Sequence, residues 1–408
     1  RRAGVLAGFL VAIGVYFWGP DSLFETFRDL ILLGGLVFVS LAVFETDQML
    51  LRAKGLAAMF SVYLIITTVG KFILGFALVL LFHRGIGAIL WGTAVVPYLV
   101  HVIWSRGQYG YHTVFPKRND YPFLKEFFFF GLPIALSGLL RFSLSNADRF
   151  FLRWLTGTDE QVGMFAVGNL FGDQPISLLS STLMLAAYPE ISRIYDQQSR
   201  EQSEQFLAQV TRIFLIVSLP LTALTIAGAP FVFRLIISGK TSEAWDVVPF
   251  IAAATFVLGL ANYGSLGLYM GKRSDLMLWC TAASLIVNMV FNVAVIPSLG
   301  YIGCGGARFA ANLIFLLAVS FGSRRFLAWH FPWKTLLRTG IAAAVSAGGI
   351  YFVAQYSLEG ATLVPGMTLL GFLALCAFGV YGLILFLTRE IEKQHVVAAL
   401  RLFGRSSS

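Results

Sequence analysis

The chain breaks into about twelve apolar stretches, each long enough to cross a bilayer, separated by short polar gaps. They read as 3–18, 29–46, 56–82, 86–104, 123–155, 162–189, 204–228, 244–270, 275–297, 302–323, 336–356 and 362–388. This pattern predicts an all-α integral membrane protein with about 12 transmembrane helices. Basic residues gather in every second gap. One side of the alternation holds 21 of the 30 Lys and Arg residues, among them Arg52, Lys54, Arg106, Lys272, Arg273, Arg324 and Arg325. The other side holds four, Arg28, Arg84, Arg234 and Lys240. The positive-inside rule then places both ends of the chain in the cytoplasm, with an even number of spans between them. The longest polar stretches, around 105–122 and 190–205, fall on the basic side and leave no room for a soluble catalytic domain.

Composition agrees. Only 12% of the residues are charged, against about 25% in a soluble domain, so lipid must solvate much of the chain. The net charge of +9 does not point to nucleic acid, because the basic residues are spread over short loops. Attraction to anionic headgroups is the plainer reading. Cys280, Cys304 and Cys376 lack metal-site or disulfide spacing, and His83, His101, His112, His330 and His395 do not cluster. No nucleotide-binding loop or catalytic set occurs, so neither a cofactor nor enzymatic chemistry is expected, and any driving energy would come from an ion or substrate gradient.

Two glycine-rich turns hint at a repeat. His83–Gly92 (HRGIGAILWG) and Leu299–Gly306 (LGYIGCGG) each join two apolar stretches, one stretch after a basic pair. If they correspond, the third and fourth stretches repeat as the ninth and tenth. The fifth and sixth then lack counterparts, which predicts a six-span unit repeated twice in a chain short of two initial helices. A complete twelve-span protein is the alternative. Facing repeats are a transporter architecture.

Five basic residues lie inside stretches: Lys71, Arg141, Arg149, Arg153 and Arg308. Charge at the bilayer centre costs roughly 2.5–3.5 kcal/mol on insertion scales, so each should face a partner or a cavity. Ser137, Arg141, Ser145 and Asp148 form one helical stripe on the fifth stretch, and Asn169, Asp173, Ser177 and Ser180 form another on the sixth. Water and a polar substrate are expected between them. Gly168 and Gly172 should allow close helix approach there, and Pro175 should kink the stretch. Arg141 is the leading candidate for an anionic substrate, since guanidinium matches phosphate in fork geometry. An internal Arg141–Asp173 ion pair is the equal alternative. Asp148, Arg149 and Arg153 read as interfacial, snorkelling residues, and Lys71 as cavity-facing. For Arg308, next to Asn312, snorkelling competes with a cavity role. Asn288 and Asn292 read as interhelical hydrogen-bonding groups.

The segments Phe130–Pro133 (FGLP), Asn146–Leu152 (NADRFFL), Val162–Phe165 (VGMF), Tyr188–Ile191 (YPEI) and Asn292–Pro297 (NVAVIP), the last followed by Gly300–Gly303 (GYIG), resemble, in order and spacing, the oligosaccharide flippases of the multidrug/oligosaccharidyl-lipid/polysaccharide exporter superfamily. The resemblance covers most of the chain and is most specific over 122–325. It implies a two-lobe, inverted-V transporter fold of which this chain holds spans three to fourteen. Residues 1–110 are then the remainder of the N-terminal lobe, 122–325 a six-helix lobe, 334–390 two additional transmembrane helices and 391–408 a cytoplasmic tail. It implies alternating-access transfer of an undecaprenyl-pyrophosphate-linked oligosaccharide across the bacterial inner membrane, for O-antigen, capsule or exopolysaccharide synthesis. The expected substrate contacts are Arg141, Lys71, Asp173, Asn169, Arg308, Asp148 and Arg149. Membrane lipids, and a polysaccharide polymerase or ligase, are the expected partners of a monomer. A cation antiporter of the same superfamily is the first alternative, disfavoured because intraspan bases outnumber Asp148 and Asp173. A membrane-embedded polymerase or ligase is the second, disfavoured by the short outer loops.

Overall fold

The computed structural model describes residues 28–53, 56–82, 85–108, 121–237, 239–357, 363–388 and 390. The expected first stretch at 3–18, the polar segment 109–120 and the tail 391–408 lie outside the described residues. The described residues are helical apart from short turns and connectors, and none of them is in a strand. In order the helices are α1 (Arg28–Ala53), α2 (Ala57–Phe82), α3 (Gly85–Gln108), α4 (Tyr121–Thr156), α5 (Asp159–Gln197) and α6 (Arg200–Ile236). A 3₁₀ segment, Gly239–Val247, leads into α7 (Val248–Gly264), α8 (Leu266–Met270), α9 (Ser274–Ser323), α10 (Trp333–Ser357) and α11 (Leu363–Leu387). Each of the eleven expected stretches after the first has its helix, the eighth being shared by the 3₁₀ segment, α7 and α8.

Eight helical stretches among the described residues are long and apolar enough to cross a membrane. The one at Ser274–Ser323 has 50 residues, about 75 Å at 1.5 Å per residue, enough for two crossings of a roughly 30 Å hydrocarbon layer. It folds back at Gly300, whose φ of 55° and ψ of −135° suit a residue without a side chain. The two arms run antiparallel, joined by a 2.9 Å hydrogen bond from Ser284 Oγ to the Ala311 carbonyl. Helices α4 and α5 carry the polar stripes. At 36 and 39 residues they are also longer than a bilayer requires. Pro175 and Pro189 lie inside α5 without ending it.

The chain divides into two compact units, with the boundary between Arg118 and Asn119. The described part of the first is α1, α2 and α3. Its interior holds a polar cluster from all three helices. The Tyr63 hydroxyl donates to Asp47 Oδ2 at 3.0 Å, and His101 Nδ1 stands 2.5 Å from the same oxygen. Tyr63 is fully buried, stacked on Phe44 and edge-on to Trp104.

In the second unit, α4 packs along α9, and α5 along α6 and α7. Gly168 lets α5 approach the 3₁₀ segment, since a Cβ there would lie 2.8 Å from the Ala244 carbonyl oxygen, and Gly172 lets it approach α7 at Val248 and Ile251. The start of α6 carries a capping box, Ser199 with Gln202. Its first turns also hold the connector between α9 and α10. Arg200 donates to the carbonyls of Arg324 and Arg325, Glu204 Oε1 accepts from the Ala328 amide at 2.9 Å, and Thr211 Oγ1 accepts from the Trp329 indole at 2.9 Å. Helices α10 and α11 pack against α6 through Ala342, Ala343, Tyr381 and Leu385.

Glu390, just past α11, ties these helices together. It is buried, and accepts from Thr335 Oγ1 and from Arg338 Nη1 at 2.8 Å, with Arg212 Nη2 of α6 3.0 Å from Oε1. Burial pushes the Glu390 carboxyl up. The hydrogen bonds from Thr335 and Arg338 and the charges of Arg212 and Arg338 outweigh it and hold the group below the ordinary carboxylate range. A depressed carboxylate stabilises the fold fully above its ordinary value, about 4.3, and loses that contribution as pH falls through the folded value. Thermal unfolding in detergent should therefore show wild type losing stability below about pH 4.5. Glu390→Gln should unfold more easily at pH 7, by about 1–3 kcal/mol, and show a weaker acid dependence. Identical acid profiles for the two proteins would rule the clamp out.

Candidate functional site

The polar stripes of α4 and α5 do not face each other across a water-filled gap. They are joined by a side chain from a third helix. Arg308, on the second arm of α9, donates from Nε to Asp148 Oδ2 at 2.9 Å, and its Nη2 lies 2.7 Å from the same oxygen. Its Nη1 donates to Asn169 Oδ1 of α5, and Nη2 also reaches the Ser145 carbonyl at 3.2 Å. The guanidinium lies over the Phe165 ring, 5.4 Å from its centroid. On the other carboxylate oxygen, Asp148 Oδ1 accepts from Asn288 Nδ2 at 3.0 Å and Asn292 Nδ2 at 2.9 Å. The two asparagines sit one turn apart on the first arm of α9, and Asn292 also donates to Asn288 Oδ1.

This placement corrects the interfacial reading of Asp148 and the snorkelling reading of Arg308. Asp148 is wholly buried and the Arg308 side chain is 11% exposed. A carboxylate withdrawn from water this completely requires a cation, and Arg308 supplies it. The asparagines serve between helices, as expected. Arg149 is exposed on another face of α4 and takes no part in the cluster. Arg153 pairs with Asp159 at 3.1 Å across the turn from α4 to α5, in keeping with an interfacial position.

The Arg141–Asp173 ion pair does not form. Asp173 Oδ1 instead accepts from Thr255 Oγ1 of α7 at 2.7 Å. Arg141 lies over the Phe315 ring, 4.8 Å from its centroid, and no carboxylate pairs with it among the described residues. It lines a cavity of about 110 Å³ with Leu144, Ser145, Leu258, Thr281, Ser284 and Phe315. The second unit thus holds two arginines in opposite conditions. Arg308 is neutralised and bonded on three sides. Arg141 is a cation at a cavity with its fork free to take an anion.

In the first unit, Lys71 of α2 lies over the Phe44 ring of α1, 4.9 Å from its centroid, within electrostatic reach of Glu45. It therefore has neighbours on α1 that its own helix does not reveal. Sequence reasoning missed Asp47 with His101, and Thr255. The partners in each case lie on different helices, and an isolated Asp or Thr carries no periodic signal.

Removing one partner of a buried ion pair leaves the other charge uncompensated, at a cost of about 3–5 kcal/mol. Arg308→Ala should therefore sharply lower thermal stability in detergent. The double variant Asp148→Asn/Arg308→Ala should recover part of the loss, because no lone charge remains. Strictly additive losses in that cycle would show that the pair is not coupled.

A model of the family described as polysaccharide biosynthesis protein matches residues 23–246. No curated protein matches the chain in sequence. The fold is similar to that of lipid II flippase MurJ in an inward closed conformation, with a TM-score of 0.72 at 14% identity over 96% of this chain and 83% of that one. It is also similar to the Vibrio cholerae MATE transporter VcmN, with a TM-score of 0.63 at 16% identity over 79% of this chain and 76% of that one. A multidrug resistance MATE family transporter of the MOP superfamily, in an outward-facing conformation, gives a TM-score of 0.59 at 14% identity over the same shares. A multi-pass helical membrane protein with this fold, matched over more than half its length by the family model, belongs to the polysaccharide biosynthesis protein family.

Proposed function

We propose that this protein is a flippase that carries an undecaprenyl-pyrophosphate-linked oligosaccharide from the cytoplasmic to the outer leaflet of the bacterial inner membrane by alternating access. The observation that carries this reading is Arg141, an intraspan guanidinium without a carboxylate partner among the described residues, lining a cavity. A cation kept in that state costs stability unless an anion visits it. A diphosphate has the geometry and charge to do so. Lys71, in the first unit, is a further candidate to meet the anionic head. Asn169 and Asp173 border the substrate's path as polar groups, while Asp148 and Arg308 hold the helices that present Arg141, and Arg149 meets headgroups at the membrane surface. The family's description supports a polysaccharide product, and the MurJ-like fold supports a lipid-linked substrate. On this reading the protein acts without catalysis or cofactor. Both ends of the chain face the cytoplasm, and a polymerase or ligase uses the delivered units for O-antigen, capsule or exopolysaccharide.

The fold likeness to MATE transporters keeps cation antiport as the competing reading. An anion-seeking Arg141 argues against a cationic cargo. Deletion of the gene in its host, followed by mass spectrometry of undecaprenyl-linked glycans, separates the two. Complete repeat units should accumulate on the cytoplasmic side. Wild type should clear them and Arg141→Ala should not. Arg141→Lys should restore only part, since a point charge lacks the fork. A normal glycan pool in the deletion strain would sink the flippase reading and favour antiport.

A further inference from the structure

Arg141 shares its surroundings with two tyrosines. The phenol of Tyr269, on the short helix α8, is within electrostatic reach of the Arg141 guanidinium, and Tyr188 of α5 is within reach of Tyr269. The two rings meet edge to face, with centroids 6.4 Å apart and planes at 83°. Tyr188 is 42% exposed and Tyr269 is half-buried. Among the described residues neither hydroxyl has a hydrogen-bond partner. Tyr188 follows Ser177 by eleven residues, three helical turns, so it extends the polar stripe of α5. Both tyrosines lie within about a turn of basic connector residues, Tyr188 before Arg193 and Tyr269 before Arg273, while Arg141 sits deeper, beside Thr281 and Phe315.

A tyrosine that merely anchors a helix end directs its hydroxyl to the headgroups. Tyr269 instead neighbours an intraspan cation. An edge-to-face pair leaves an aromatic face open, and that face carries negative quadrupole density. The polarised C–H groups on one face of a pyranose ring fit such a surface, and the phenol oxygens can bond the sugar's hydroxyls. A bare phosphate has no use for the ring faces.

We propose that Tyr188 and Tyr269 form a sugar subsite beside the anion site, holding the pyranose attached to a diphosphate that sits at Arg141. This rests on the reading of Arg141 as an anion contact. With the diphosphate at Arg141, the sugar chain points toward the basic connectors.

The test uses the full chain in detergent and two probes, a short-chain prenyl diphosphate and the same molecule bearing a single hexose. Affinities come from isothermal titration calorimetry. Wild type should bind the hexose-bearing probe about three- to tenfold more tightly. Tyr188→Ala and Tyr269→Ala should erase that advantage and leave the bare diphosphate within about twofold, while Tyr188→Phe and Tyr269→Phe keep most of it. Arg141→Ala should weaken both probes together. If the alanine variants do not fold, Tyr188→Leu and Tyr269→Leu keep apolar bulk without a ring and are judged by the same ratio. Wild type binding both probes equally, or ring-less variants retaining the preference, would overturn the subsite and leave the anion site standing. Wild type binding neither probe would overturn both.

Discussion

The second unit is organised around one electrostatic requirement, that the carboxylate of Asp148 not be left alone in a medium that cannot solvate it. Four side chains from two other helices, α5 and α9, meet that requirement. Arg308 neutralises the charge, Asn288 and Asn292 saturate the remaining oxygen, and Asn169 takes a guanidinium N–H that would otherwise be orphaned. Satisfying these bonds fixes α4 and α5 against both arms of α9. Ion pairs of this kind add little net stability over an apolar core, but they penalise every arrangement in which a partner is missing. The cluster therefore works as a register device. Neighbouring contacts, such as Gly168 against the 3₁₀ segment and Asp173 with Thr255, follow once it is set.

With Arg308 committed, Arg141 stands out. The two residues are chemically identical, and only their surroundings separate a paired strut from an unpaired cation at a cavity. An aromatic ring beneath Arg141 lowers the cost of its charge without consuming its hydrogen bonds. On the proposed function, that is a suitable resting state for a group that takes up and releases a ligand in each cycle. A carboxylate partner would compete with any anion, whereas Phe315 does not.

Much of this was legible in the sequence, for a physical reason. Hydrocarbon forbids unpaired backbone, so every crossing is a helix, and the run of apolar residues marks it directly. Hence each of the eleven stretches after the first corresponds to observed helix, including the fold-back at Gly300. The stripes on α4 and α5 were equally visible, because residues on one helix face recur at fixed spacing. Their partners were not. Adjacency in sequence suggested that α4 and α5 face each other, yet Asp148 is satisfied from 160 residues away. Periodicity shows which face of a helix is polar and carries no information about which helix that face meets. Asn288 and Asn292 were readable as interhelical groups because two amides one turn apart have few other uses. Glu390 was invisible for the opposite reason. It follows the last apolar run and looks like any tail carboxylate, although Thr335, Arg338 and Arg212 enclose it.

The distance along the chain between Asp148 and Arg308 has a consequence in time. A ribosome adds about 5–20 residues per second, so α4 emerges about 10–30 seconds before the arginine that neutralises it. Throughout that interval the carboxylate lacks its native counter-charge. Until then the carboxylate is best kept beside the insertion machinery, in contact with water. Lateral release of α4 into lipid before α9 arrives would strand that charge without its partner. The order of helices along the chain thus makes α4 wait for α9.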